Sequence, residues 1–234
     1  MRQKLHSITR SLRLPSICTL CNQFHKGTLA VCSHCIDYIK PLGITCTYCA
    51  YPLSDGSYLV CGKCIKNPPY FDKALIAYSF EEPLRSLLHH FKYYNGLYLG
   101  SFLGFLMLKA FKDRTDPPQC LIPVPMHPEK LKQRGFNQAA VLTKIIARVL
   151  QLPYDLSSCQ KISNTVPQAS LNGEQRLKNL NNSFFCKPLN FDHVVLIDDL
   201  LTTGATVNEL AHTLKKNGVK RVDVLCCART IGKN

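Results

Sequence analysis

The apolar residues of this chain form two alternating kinds of pattern. Short, nearly continuous runs at residues 74–80, 120–122, 194–197 and 222–227 read as strands, because a strand covered on both faces needs no polar alternation. Between them the apolar positions follow helical spacing. Glu81-Glu82-Pro83 opens a helix whose inner face is Leu84, Leu87, Leu88 and Phe91, with Lys92 in its last turn. Residues 97–111 are apolar almost all round, which predicts a buried core helix too short to span a bilayer. Ala139, Leu142, Ile146 and Val149 mark another inward face, with Lys144 and Arg148 outward. Val207, Leu210, Ala211 and Leu214 mark the last, with Lys215 and Lys216 at its end and Gly218 where a cap belongs. Strands alternating with helices place the chain in the α/β class.

One strand-to-helix junction carries candidate chemistry. Val194-Val195-Leu196-Ile197 runs into Asp198-Asp199, then Leu200-Leu201-Thr202-Thr203-Gly204-Ala205-Thr206, and then the last helix. Carboxylates at the C-terminal end of such a strand face the crevice where open α/β sheets bind ligands. The small residues after them let backbone N–H groups approach a phosphate, and the helix start favours the negative charge. Two adjacent carboxylates would repel that phosphate unless they served another part of the ligand. Paired acceptors suit the two hydroxyls of a ribose, so the ligand this junction fits is a ribose 5-phosphate unit.

A separate pattern precedes the sheet. Cys18-x2-Cys21, Cys32-x2-Cys35, Cys46-x2-Cys49 and Cys61-x2-Cys64 are separated by ten, ten and eleven residues. Each CxxC pair presents two thiolates from one tight turn, and two pairs complete a tetrahedron around Zn²⁺. Two structural zinc ions is the favoured reading; one ion, or a disulfide scaffold, are the alternatives. The simplest grouping is sequential, Cys18, Cys21, Cys32 and Cys35 on one ion and Cys46, Cys49, Cys61 and Cys64 on the other, with interleaved pairing open. Pro68-Pro69 marks the boundary, so the expected organisation is a basic tail or short amphipathic helix over residues 1–16, a double zinc-ribbon module over 17–69 and an α/β domain over 70–234.

Charge adds a partner class. Twenty-nine Lys and Arg against fifteen Asp and Glu leave a net charge of +14. Two zinc sites of four thiolates would each contribute −2, and 14 minus 4 still leaves a strongly basic chain. Such a balance suggests a polyanion such as nucleic acid, or anionic substrates. The basic residues gather at residues 130–134 and 215–221 and in the N-terminal tail; Tyr93, Tyr94 and Phe136 are aromatic neighbours able to stack on bases. Lys130, Lys132, Arg134, Asn137 and Gln138 surround a predicted helix start and are candidate anion or DNA contacts, as are Gln168 and Arg176 in the polar stretch 153–182, which reads as a long mobile connection. Cys159, Cys186, Cys226 and Cys227 read as buried fillers. No apolar run is long enough for a membrane span and no secretory signal is evident, so a cytoplasmic protein is expected.

The stretch from Val194 to Thr206 closely resembles the phosphoribosyl pyrophosphate (PRPP) motif of type I phosphoribosyltransferases. The resemblance implies that Asp198 and Asp199 bind the ribose hydroxyls and that Thr202, Thr203, Gly204, Ala205 and Thr206 wrap the 5-phosphate. Four CxxC pairs followed by IPVPMHPEKLKQRGFNQ, NTVPQASLNGEQRLKNLNNSF and VVLIDDLLTTGAT resemble, in that order, the ComF family of phosphoribosyltransferase-like proteins associated with natural transformation. This implies a zinc-ribbon module followed by a type I phosphoribosyltransferase-like parallel sheet with helices on both faces. Residues 123–127 would take the pyrophosphate-loop position and residues 165–168 the flexible-loop position. Pro123 and Pro125 have no N–H, so the pyrophosphate loop is left with Val124, Met126 and His127 as main-chain donors.

The resulting expectation is a cytoplasmic competence protein that handles incoming single-stranded DNA and holds PRPP, with Mg²⁺ accompanying PRPP, and with competence-machinery proteins such as a DNA helicase or a single-stranded-DNA-binding protein as possible partners. An active transferase with an unidentified nucleobase-like acceptor is the alternative reading, and a zinc-ribbon adaptor for other proteins the third. Protein purified without chelator is expected to carry close to two zinc ions per chain, and Cys61→Ser to lose at least one and destabilise its module, since such modules fold on their metal. Elemental analysis finding soluble, full-length, metal-free protein would refute the zinc reading.

Overall fold

Two versions of one cysteine-bearing unit open the described chain. The structure, a computed structural model, describes residues 16–94, 96–111, 116–162 and 183–231. In the first unit β1 (Ser16–Ile17) and β2 (Phe24–His25) pair antiparallel around Cys18 and Cys21, and the short helix α1 (Ser33–Ile36) starts at Cys32. In the second, a bridge between Thr45 and Pro52 replaces the hairpin around Cys46 and Cys49, and α2 (Gly62–Lys66) starts at Cys61. The turns match closely. Asn22 N–H donates to Cys18 O and Ala50 N–H to Cys46 O, each at 2.9 Å. Asn22 and Ala50 take the positive φ values, 56° and 52°, that fold the chain back after each CxxC.

A parallel sheet follows. Its strands are β3 (Lys73–Leu75), β4 (Tyr78–Ser79), β5 (Cys120–Pro123), β8 (His193–Leu201) and β9 (Arg221–Arg229), in the order β3-β9-β8-β5, with β4 pairing β9 beyond the end of β3. The helices are α3 (Leu84–Tyr93), α4 (Gly100–Phe111) after a 3₁₀ turn at Gly96–Leu99, α5 (Pro128–Arg134), α6 (Gln138–Leu150) and α7 (Ala205–Lys216). The period of two along β8 divides the core. Val194 and Leu196 pack with Val207, Leu210, Ala211 and Leu214 of α7; Val195 and Ile197 pack on the other face with α3, α4 and α6. The chain is therefore an α/β protein whose central strands are covered on both sides.

The cysteine units are not a detached module. Cys18, Val31, Cys35 and Ile39 join the core on the α3–α4 face, whereas Leu42 and Ala50 join the core on the α7 face. The chain between the units crosses the sheet edge, where Leu42 N–H donates to Ala77 O and Ser79 N–H to Lys40 O. The two units thus grip the β3–β4 edge from opposite sides.

Several elements differ from the sequence pattern. The expected strand over 74–80 is broken at Ile76 and Ala77, between β3 and β4, because Ala77 O serves Leu42 instead of the sheet. Val149 is 60% exposed; the inward position in that turn of α6 belongs to Ala147. The apolar stretch 97–111 is not buried all round, since Leu97 and Tyr98 stay exposed in the 3₁₀ turn. Within 153–182, residues Cys159–Lys161 form β6, which pairs antiparallel with β7 (Phe184–Cys186); residues 163–182, including Gln168, Arg176 and the flexible-loop candidate 165–168, lie outside the described residues. The N-terminal tail before residue 16 lies outside them as well.

The crossing of α4 and α6 depends on small residues. A Cβ built on Gly104 would stand 3.0 Å from Ile145 Cγ2, and one on Gly100 the same distance from Ile145 Cδ1. Gly104→Val is expected to destabilise the chain by about 1–3 kcal/mol through overpacking, measured by urea unfolding. A change within about 0.5 kcal/mol would show that this crossing is loosely packed.

Candidate functional site

β8 carries its side chains in a buried ladder until the strand emerges at Asp198 and Asp199. Asp199 is 3% exposed, and Lys92 in the last turn of α3 meets its Oδ2 at 2.6 Å. Asp198 turns its carboxylate back, so that Oδ1 accepts the Asp199 N–H at 2.8 Å. Burial, and then the neighbouring Asp199 charge, push the Asp198 carboxyl well above the usual carboxylate range. The two acids are therefore held differently: Asp199 is fixed by a cation, and Asp198 is turned back onto the backbone at the crevice.

Beyond them a short loop leads into α7. Gly204 takes φ 82°, a left-handed value that costs glycine little, and as the residue that starts α7 it brings no capping side chain of its own. A helix begins with N–H groups that have no partner within it. Thr203 Oγ1 accepts one of them, from Ala205, at 3.3 Å. The loop, the two carboxylates, Gln138 and Lys92 line a crevice of about 230 Å³. This is the constellation the sequence pattern placed at one junction, with two residues added from elsewhere in the chain.

The other candidates divide. Val124 is unavailable as a pyrophosphate donor because its N–H is bound to Ile197 O at 2.9 Å as an extension of the β5–β8 ladder. Of the three donors expected in residues 123–127, Met126 and His127 remain. The His127 side chain caps α5, with Nδ1 accepting from Glu129 N–H at 3.4 Å. Asn137 is likewise spent on structure: its Oδ1 caps α6 through Ala139 N–H, and its Nδ2 donates to Val124 O. Arg134 Nη1 donates to Gln138 Oε1 at 2.8 Å, Nη2 donates to Tyr93 Oη, and the guanidinium lies 4.9 Å from the Tyr93 ring centre. Arg134 thus joins α5, α6 and α3 beside the crevice. Lys130 and Lys132 are exposed on α5.

Lys92 and Lys161 are the site residues that periodicity missed. Lys92 reads from sequence as an ordinary helix-end cation, because a helix C-terminus favours one anyway. Lys161 on β6 lies within electrostatic reach of Lys130, Glu209 and Asp198; burial and then the Lys130 charge draw its ammonium below the usual lysine range. The basic cluster at residues 215–221, in contrast, is largely neutralised. Lys215 pairs with Asp72, Lys220 with Asp192, and Arg221 with Asp116 and Asp223. Phe136 packs edge-on against Phe91, at 5.9 Å, rather than standing free for a base.

The eight cysteines of the CxxC pairs form two groups, Cys18, Cys21, Cys32 and Cys35, and Cys46, Cys49, Cys61 and Cys64. Within each group the sulfurs all lie within 4.8 Å of one another. Four thiolates about 2.3 Å from a central zinc stand about 3.8 Å apart. The Cys21–Cys32 and Cys49–Cys61 separations are 3.9 and 3.7 Å. The grouping is sequential, and it is a four-point cluster rather than pairs of bonded sulfurs, so each group can hold a metal ion such as zinc. Burial opposes the Cys18 thiolate, but N–H donors from Cys32, Cys21 and Leu20 outweigh it and lower that thiol to about 6. In the second group Cys46 is lowered to about 7, burial again being outweighed, here by the N–H groups of Cys49, Cys61 and Tyr48. Burial raises the thiols of Cys35, Cys49 and Cys64 in the same two groups, so the backbone donors favour thiolate at Cys18 and Cys46 in particular.

No protein-family model matches the chain. Named relatives do. The DNA utilization protein YhgH of Shigella flexneri is 32% identical over 230 residues, which span 94% of this chain and 100% of that protein. Competence protein F of Haemophilus influenzae is 32% identical over 216 residues, 88% of this chain and 93% of that protein. Competence protein ComFC of Bacillus subtilis is 28% identical over 196 residues, 80% of this chain and 79% of its own length. Among solved structures, a glutamine phosphoribosylpyrophosphate amidotransferase from B. subtilis complexed with ADP and GMP superposes with a TM-score of 0.39 and 14% identity, over 58% of this chain and 29% of its own.

The Asp199–Lys92 pair makes a specific stability prediction. Side chains only 4% and 20% exposed leave a buried carboxylate uncompensated when the cation is removed. Lys92→Met should destabilise the fold by about 3–5 kcal/mol at neutral pH, and Lys92→Met combined with Asp199→Asn should recover most of the loss. Urea unfolding of the three variants checks this; strictly additive losses would mean that the two side chains do not interact.

Proposed function

The chain belongs to the ComF family, and on that premise we propose that it is a competence protein that holds a ribose 5-phosphate unit, as in PRPP, and handles incoming single-stranded DNA in the cytoplasm. The observation that carries the first half is the crevice at the end of β8. Carboxylates and a helix start stand there at the two ends of one short loop. The loop N–H groups and the α7 dipole take the 5-phosphate, with Thr202, Thr203 and Thr206 beside it. Asp198 accepts from the ribose hydroxyls. Asp199 is held beside it by Lys92, which also softens the repulsion between the acids and the phosphate.

Binding is favoured over turnover by the opposite end of the ligand. Pro123 and Pro125 offer no N–H and Val124 has spent its own, so the pyrophosphate end meets few main-chain donors. Mg²⁺, when it arrives with PRPP, would neutralise pyrophosphate oxygens. Asp198 and Asp199 do not form a dedicated cage for it, since Asp199 is paired with Lys92 and Asp198 Oδ1 accepts the Asp199 N–H. The alternative, a transferase acting on a nucleobase-like acceptor, is favoured by the retained carboxylate pair and by Lys161 beside it.

The diol-reading carboxylates also say where DNA does not go. Deoxyribose lacks the 2′-hydroxyl, and within a strand its 3′-oxygen is esterified, so a strand has nothing to offer both acids. The exposed α5 lysines, Arg134 and the exposed rings of Tyr93 and Tyr94 form the surface that suits it, a basic track with stacking faces. No helix among the described residues is long and apolar enough to cross a membrane.

Calorimetric titration with PRPP, with and without Mg²⁺, tests the site, and a pyrophosphate-release assay tests turnover. Asp198→Asn is the informative variant, because Asp199 also anchors Lys92; it should weaken PRPP by about 1.5–3 kcal/mol, the loss of a charge-assisted hydrogen bond. Thr203→Val should weaken binding while leaving the fold intact. Single-stranded DNA should bind with a steep salt dependence, and replacing Lys130, Lys132 and Arg134 by Ala should flatten the log–log slope by about two units. Affinity that is flat with salt, together with pyrophosphate release in the presence of a base, would hand the case to the transferase reading.

A further inference from the structure

Arg229 is 7% exposed and makes more connections than a place at the end of a strand requires. It is the last residue of β9, in register with Leu201 on one side and Ser79 on the other. Its Nη1 faces the carbonyls of Leu201, at 3.0 Å, and Thr202, in the loop assigned to the 5-phosphate, and that of Thr230 at 3.2 Å. Its Nε donates in the opposite direction, to the carbonyl of Cys49 at 3.1 Å. The guanidinium lies 5.8 Å from the Tyr51 ring centre, on the same cysteine unit. One buried cation therefore bridges the second four-cysteine group and the candidate phosphate loop.

A second connection runs in parallel. The chain leaving Cys64 passes Pro68-Pro69 to Tyr70, whose N–H donates to Asn208 Oδ1 at 2.6 Å and whose ring stacks on His212 at 4.0 Å. Asn208 and His212 belong to α7, the helix whose start forms the loop. The space between the two connections is a cavity of about 650 Å³ lined by Cys49, Cys64, Thr203, Gly204 and Arg229 among others.

We propose that Arg229 is a positioning residue that couples the second four-cysteine group to the phosphate loop, so that metal on Cys46, Cys49, Cys61 and Cys64 tightens ribose 5-phosphate binding at residues 202–206. The proposal rests on the ribose-phosphate reading of that loop. Its physical content is a shared donor. A metal-organised turn holds the Cys49 carbonyl still, and with it the guanidinium that orders the Leu201 and Thr202 carbonyls. Without metal, the turn carrying Cys49 loses the constraint that places its carbonyl. Arg229 is then left buried with an unmatched donor, and the loop loses a fixed partner. The first four-cysteine group packs against the opposite face of the sheet and has no such bridge among the described residues.

Coupling between two binding sites is reciprocal, so it can be read from either end. The full, metal-loaded chain is titrated with ribose 5-phosphate by calorimetry. It is then brought to equilibrium with a colorimetric zinc chelator, with and without saturating ribose 5-phosphate. The ligand should raise the apparent affinity for one of the two zinc ions by roughly tenfold, and Arg229→Lys, which keeps the charge but cannot span both sets of carbonyls, should reduce that factor to near one. Arg229→Lys should also bind ribose 5-phosphate roughly tenfold more weakly while retaining two zinc ions. A wild-type chain that binds ribose 5-phosphate but whose two ions compete with chelator equally well in its presence and absence overturns the coupling and leaves the site reading intact. A wild-type chain that does not bind ribose 5-phosphate overturns the site reading and the coupling with it. The wild-type measurement decides the matter even if the variant fails to fold.

Discussion

The Asp199 carboxylate lies at the end of a strand buried on both faces, and a charge in that position must be met by another. Lys92 meets it from the last turn of α3. That requirement fixes much else. α3 has to end at the crevice, and the residue after Lys92, Tyr93, comes under the Arg134 guanidinium. Arg134 in turn reaches Gln138 at the start of α6, so the helices on one face of the sheet are tied together around the acid pair. Leaving the pair without its cation would cost more than the pair itself contributes, which is why the arrangement is better understood as a constraint on geometry than as a source of stability.

The same sheet sets the place of the cysteine units. A parallel sheet leaves an edge, and here the edge strands β3 and β4 are short and interrupted. The two units cover that edge from opposite sides and contribute side chains to both halves of the core. Ala74 N–H donates to Tyr48 O, so the turn between Cys46 and Cys49 is hydrogen-bonded directly to the sheet. Metal that organises these turns would therefore stabilise the edge of the α/β domain as well as the units themselves. The second unit, on the α7 face, is the one whose turn reaches Arg229 and, through it, the loop between β8 and α7.

What was legible from residue order alone was whatever lies close together in the chain. The continuous run of residues 194–197, the two acids after it and the glycine that starts α7 belong to one stretch, so their order already describes a strand, a turn and a helix start. Each CxxC pair is likewise local, and its repetition at nearly constant spacing pointed to two four-cysteine groups before any geometry was known. Less legible were features in which a local rule had a competitor. Val124 looked like a donor until the sheet took its N–H, Asn137 looked like an anion ligand until a helix cap took its Oδ1 and the Val124 carbonyl its Nδ2, and Lys215, Lys220 and Arg221 looked free until carboxylates from distant segments paired with them.

The sequence by itself determined the α/β class, the position of the ribose-phosphate candidate and the identity of the cysteines that can hold metal, because hydrophobic period and short motifs act over a few residues. Only the tertiary structure decided which cation neutralises Asp199, that the two cysteine units straddle the sheet edge, and that Arg229 links the loop after β8 to Cys49, which lies 180 positions before Arg229 in the chain. The reason is physical. Period and turn chemistry record which face of an element is buried, whereas the partner a buried charge finds depends on which elements pack against that face, and nothing in the local pattern of Lys92 or Arg229 distinguishes it from a solvated helix-end or strand-end cation.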